Sequence, residues 1–191
     1  MSRFVHFPPE EAPSTSYDGT SGDPTIIAFD PGGSTGWSLF QVHPDSLTDP
    51  GVMILDNVVH FACGEFYGTE MSQVDAMLSL VDEWPGSALV TEDFILDTKV
   101  TSQEVLSPVR LNAAFKYTAS RLLGRHVWVQ NREQAFSTMT DDRLYRLQRY
   151  WNATIGKEHA RDAVKHNLTF MRRLKQQPKL LAKVFPALVE A

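Results

Sequence analysis

Two short apolar runs, each ending in acid and separated by about 60 residues, constrain this chain more than any other feature. Thr25 to Phe29 (TIIAF) runs into Asp30 and the turn Pro31-Gly32-Gly33, and Ala88 to Thr91 runs into Glu92 and Asp93. An apolar run of this length bounded by turn residues reads as a buried strand. If two such strands lie side by side and parallel, their terminal carboxylates arrive at one place.

The remaining elements follow from the same periodicities. Trp37 to Val42 reads as a second strand, and a loop rich in Pro and Asp (HPDSLTDPG, from His43) leads to a third β region within Val52 to Phe66. Met71 to Trp84 carries apolar residues at Met71, Val74, Met77, Leu78 and Val81, a helical spacing that stops before Pro85-Gly86. Ser107-Pro108 predicts a helix start and Gly124 its stop, with Leu111, Phe115, Thr118 and Leu122 as the core stripe. Arg110, Ala114, Tyr117 and Arg121 form a second, basic and aromatic stripe. His126 to Gln130 is a fifth strand, and Gln134 to Tyr150 is helical or partly irregular. Glu158 to Lys175 is the clearest helix, with Ala160, Ala163, Val164, Leu168, Met171 and Leu174 inward. The order predicts an α/β domain over residues 25–176, after a flexible arm (1–24) and before an amphipathic extension (177–191) interrupted at Pro186.

Composition narrows the class of function. One cysteine, Cys63, excludes an intrachain disulfide and favours a reducing compartment. The start lacks an apolar stretch of signal type and no run approaches 18 apolar residues, so a soluble cytoplasmic protein without a membrane span is expected. The net charge of -5 conceals a division along the chain. Residues 1–109 hold 2 Lys/Arg against 17 Asp/Glu, and residues 110–191 hold 16 against 6. A basic half of this strength suits a polyanion; solvated basic helix faces are the bland alternative.

Four residues at strand ends or on one helix face could carry chemistry: Asp30, Glu92, His159 and Asp162. His159 and Asp162 are three apart on a helix and share a face, which His166 extends by a turn. Carboxylates with an imidazole suit Mg2+ or Mn2+. Two such ions about 4 Å apart would stabilise the attacking and leaving oxygens of a phosphodiester displacement. Taken singly, Asp-Pro-Gly is an ordinary turn, Glu92-Asp93 a solvated loop start and His159 a local pairing partner. Their conjunction in this order is what points to a phosphoryl-transfer site.

The same segments carry a resemblance. IIAFDPGGSTGWSLF (Ile26 to Phe40) resembles the first strand and hairpin of RuvC-type Holliday junction resolvases, and LVTEDFIL (Leu89 to Leu96) resembles their second acidic strand. EHARDAVKHNLTFMRR (Glu158 to Arg173) is similar to their last catalytic helix, and SPVRLNAAFKY (Ser107 to Tyr117) to the intervening helix of phage-type members. The resemblance spans roughly residues 25–175 and implies an RNase H-like mixed five-stranded sheet flanked by helices. It also implies a homodimer that nicks two strands of like polarity in a four-way junction with divalent metal, as in DNA recombination and repair.

Carried over residue by residue, Asp30 matches the first-strand acid, Glu92 the acid on the fourth strand, and His159 with Asp162 the paired helix positions. All four are expected as catalytic metal ligands, Asp30 bridging two ions and His159 orienting the water. Phe94 is the candidate for the aromatic residue that opens the junction, and Asp93 has no counterpart. Arg110, Lys116, Arg121, Arg161, Lys165 and Arg172 are expected to contact DNA phosphates. The acidic first half departs from the pattern of a junction binder. Three rival readings remain at this point: an RNase H-like nuclease on other branched DNA or RNA, a non-catalytic nucleic-acid-binding relative, and an actin-like or sugar-kinase-type ATPase fragment. The last would need further glycine loops and a second domain.

Overall fold

The computed structural model describes residues 22–94, 103–150, 155 and 157–189. The expected N-terminal arm lies almost wholly outside the described residues. Within them the elements run β1 (Thr25–Asp30), β2 (Thr35–Val42), α1 (Asp45–Thr48), β3 (Val58–Phe66), α2 (Glu70–Glu83) and β4 (Ala88–Asp93). Then follow α3 (Gln103–Leu122), β5 (Val127–Asn131), α4 (Arg132–Thr138), α5 (Asp141–Tyr150), α6 (Glu158–Gln176), α7 (Pro178–Val184) and a 3-10 turn (Pro186–Leu188).

The five strands form one mixed sheet in the order β3-β2-β1-β4-β5. β1, β2 and β3 are antiparallel neighbours, whereas β4 lies parallel to β1 and β5 parallel to β4. The two acid-tipped runs are therefore adjacent and parallel, with Phe29 opposite Thr91 one step before Asp30 and Glu92. Both faces of the sheet are covered, which is why β1 and β2 are buried at every position rather than alternating. Ile26, Ala28, Phe40 and Val90 pack with Val164, Leu168 and Met171 of α6 on one face; Ile27, Phe29, Leu39 and Leu89 pack with Met77 and Phe115 on the other. Leu181 of α7 joins the α6-side core, so α7 packs on the domain.

Several local expectations are corrected. α3 starts at Gln103, placing Pro108 inside the helix rather than at its first residue. Near a helix N-terminus proline keeps a helical φ and removes one backbone hydrogen bond, so the helix runs through it. Leu122 is 74% exposed, and the buried stripe of α3 is Leu111, Phe115 and Ala119. The Pro- and Asp-rich loop contains the one-turn helix α1, whose Leu47 is buried against α6-side residues. The 134–150 region agrees with its helical or partly irregular reading: it holds α4 and α5, broken at Met139 and Thr140.

Candidate active site

The close approach of α6 to the sheet begins with two glycines, Gly32 in the turn after β1 and Gly36 near the start of β2. A Cβ on Gly36 would lie 1.9 Å from the carbonyl oxygen of His159, and one on Gly32 would lie 2.6 Å from the His159 ring. The spacing in Asp-Pro-Gly-Gly-Ser-Thr-Gly thus serves the seating of the helix that follows some 120 residues later. α6 is keyed along the sheet by polar contacts: Ser38 Oγ donates to the Ala163 carbonyl at 2.9 Å, and Asn167 Nδ2 donates to the Ile26 carbonyl at 2.9 Å.

Two further residues hold the entrance, and no local signal in the sequence marks either. Lys157 at the start of α6 makes no side-chain cap. Glu65, at the end of β3, supplies the cap instead, accepting from the backbone N–H groups of His159 (3.0 Å) and Ala160 (3.4 Å). The same carboxylate accepts from Ser34 Oγ (3.2 Å) and the Tyr67 hydroxyl (2.6 Å). Burial alone would raise the Glu65 pKa, but the Tyr67, Ser34 and Ala160 hydrogen bonds and the nearby His159 hold it below the usual value. Gln73 of α2 is buried, accepts from Thr35 Oγ1 at 2.6 Å, and donates to the carbonyls of Gly33 and Gly68. It thereby fastens the turn.

At the centre, Asp30, Glu92 and His166 each bring a possible ligand atom within 4.8 Å of the others, and all three are buried. His159 Nδ1 is 2.8 Å from Asp30 Oδ2, and His166 Nε2 is 3.1 Å from Glu92 Oε2. On β4, Asn112 of α3 donates to the Glu92 carbonyl at 2.6 Å and fixes the strand end. Burial pushes the Asp30 carboxyl up to about 6; the Glu92 carboxyl adds to the rise, and His159 works against it. Glu92 stays below its usual range because hydrogen bonds from His166 and Asp30, with the charge of Arg132, outweigh its burial. The His159 imidazole is raised by its bond to Asp30, against burial.

Two buried carboxyls side by side repel each other unless a proton or a cation joins them. Two carboxylates with an imidazole against each fit one divalent ion that prefers oxygen ligands and tolerates nitrogen. This buried acidic and histidine cluster can therefore bind a metal ion.

The expected set of four is brought together only in part. Asp30 and Glu92 converge, and His159 meets Asp30. Asp162 is turned to Lys165, whose ammonium lies 2.9 Å from Asp162 Oδ1 and 2.6 Å from Asp141 Oδ1. His166, one turn further along α6, stands in the tight group instead. Lys165 is also a correction to the expected DNA-facing cations: it is 3% exposed and sits 4.1 Å over the Phe136 ring, since the helix face that carries Asp162 points inward. Arg110, Arg121 and Arg172 are exposed, and Lys116 and Arg161 are half-buried. Arg110 is already paired with Glu70 of α2 at 2.9 Å. Phe94 is half-buried beside the site strand; Ile95 and Leu96 lie outside the described residues.

No family model and no curated protein sequence matches the chain. Solved structures do. A structure of Thermus thermophilus RuvC in complex with a Holliday junction substrate is similar at a TM-score of 0.51, with 14% identity over 79% of this chain and 96% of that one. A second Thermus thermophilus RuvC structure gives a TM-score of 0.50, with 15% identity over 78% and 96%. The sheet order, the parallel acid-tipped strands and these likenesses together show that the chain has the RNase H-like fold of RuvC.

Proposed function

We propose that this chain is a metal-dependent, structure-specific DNA endonuclease that resolves four-way junctions, a phage-type relative of RuvC acting in DNA recombination and repair. The observation that carries the reading is the meeting of Asp30 and Glu92 at the ends of adjacent parallel strands, with His159 of the facing helix on Asp30. That the RuvC neighbour was solved with junction DNA supports the substrate class. Divalent metal, Mg2+ or Mn2+ and in two-ion form where Asp162 is released from Lys165, would be held by Asp30, Glu92, His159 and Asp162. When bound, it supplies an activated water and charge neutralisation at the phosphate.

The chain's own residues do the rest. Hydrolysis joins the water oxygen to phosphorus, breaks one P–O bond, and passes a proton to the departing sugar oxygen. Asp30 and Glu92 provide fixed negative charge that draws the cation to one point. His159, half-exposed at the entrance, keeps a proton on Nδ1 against Asp30, so that this carboxylate remains ionised for binding. Arg121, Lys116, Arg161 and Arg172, with Arg110, provide the phosphate contacts.

The test is cleavage of a labelled four-way junction beside flap, fork and linear duplex with Mg2+ or Mn2+. Symmetric nicking of the junction is expected, and cleavage of flaps, forks or RNA-containing duplexes alone would make this a nuclease of another substrate. Paired nicks need two sites in a two-fold relation, so sedimentation should give about twice the 21.5 kDa chain mass. A strictly monomeric protein that leaves junctions intact overturns the resolvase reading.

A further inference from the structure

His159, Asp162 and His166 share one face of α6 but stand at different depths. The side chain of His159 is 36% exposed, that of Asp162 9%, and that of His166 0%. Among these three, His159 is the one open to solvent, and it marks the side from which a phosphate can approach. His166 lies behind the carboxylates, with its ring edge-on to Phe136 at 6.4 Å and Nε2 against Glu92 Oε2 at 3.1 Å.

We propose that His166 is a positioning residue: its Nε2–H donates to Glu92 from the closed side and holds that carboxylate toward Asp30. Three observations carry this. The contact is of hydrogen-bond length and joins a helix to a strand 74 positions apart, so it is tertiary and specific. Each buried carboxylate then has its own imidazole, Asp30 that of His159 and Glu92 that of His166. Among the described residues His166 Nδ1 has no hydrogen-bond partner and is buried, a cost that an apolar residue of similar size would avoid. Filling the core is therefore a poor reason for an imidazole here, and orienting Glu92 is a sufficient one. Partners of metal-binding carboxylates commonly set affinity from outside the ligand set in this way.

The inference rests on the reading of Glu92 as a metal-holding residue, and two measurements separate the failures. Mn2+ binding by isothermal titration, without DNA, should weaken about 10- to 100-fold in His166→Leu and return close to wild type in His166→Gln, whose amide keeps a donor near Nε2. Thermal melts of the metal-free proteins report any purely structural loss, which would leave Mn2+ affinity of the folded protein unmoved. Wild-type affinity in His166→Leu overturns the role of His166. A wild-type protein that binds Mn2+ yet leaves junctions uncut overturns the nuclease reading alone. If His166→Leu does not fold, imidazole nitrogen NMR of the wild-type protein decides: Nε2 should carry its proton with and without Mg2+, and a Nε2 that loses it on Mg2+ addition overturns the proposal.

Discussion

Asp30→Asn should make the metal-free protein more stable while removing its activity. Asp30 is 5% exposed, and burial next to Glu92 lifts its carboxyl from the ordinary 3.8 to about 6. Keeping it ionised at pH 7.5 therefore costs the fold up to about 3 kcal/mol, at about 1.4 kcal/mol for each factor of ten in proton affinity. Asparagine has the same shape, removes the charge, and keeps an acceptor for His159 Nδ1. The sign of the pH dependence follows from the raised pKa. The contribution of Asp30 to stability is fully present below pH 3.8 and is lost as pH rises through about 6. In EDTA, the melting curves of wild type and Asp30→Asn should therefore converge near pH 3.5 and separate by several degrees at pH 7.5, given about 2–4 °C per kcal/mol for a chain of this size. Adding Mg2+ should raise the melting temperature of the wild type and leave the variant unmoved. Junction affinity should persist in the variant while nicking falls by orders of magnitude. A variant that is no more stable than wild type at pH 7.5, or a difference that does not change with pH, refutes the reasoning.

Other perturbations test the scaffold around the site. Gly36→Ala should destabilise by about 3 kcal/mol or more, because the new methyl meets the His159 backbone, whereas Gly33→Ala, with nothing among the described residues within 4 Å, should stay within about 0.5 kcal/mol in urea unfolding. Glu65→Gln should cost roughly 1 kcal/mol as a weakened helix cap. Since the Glu65 pKa is depressed below 4.5, that difference should be full above this pH and shrink as pH falls below it, in chemical melts run from pH 7 to 3. Arg121→Ala and Arg172→Ala should each lower the salt slope of junction binding by about 1, and Arg110→Ala by less, because Arg110 already has Glu70; equal slopes for all variants would remove these residues from the interface.

The parts of this protein that could be read without a structure are those that depend on near neighbours in the chain. The five strands, the long last helix and the inward stripe from Ala160 to Leu174 follow from apolar period and turn residues. Asp30 and Glu92 were legible because a buried strand that ends in an acid has few other places to put it. Helical spacing also placed His159, Asp162 and His166 on one face, but spacing does not say which turn of a helix meets which strand. That was decided by tertiary contacts: the missing side chains of Gly32 and Gly36, the keying of α6 by Ser38 and Asn167, and the cap from Glu65. They set the height of α6 on the sheet so that His159 reaches Asp30 and His166 reaches Glu92, while Asp162 meets Lys165 of its own helix. The contacts that seat α6 join residues between about 90 and 140 positions apart, and no local pattern encodes a pairing at that range. The inward turn of Lys165 has the same origin: its charge reads as surface in the chain, and only the carboxylates of Asp141 and Asp162, brought from two helices, make its burial affordable in free energy.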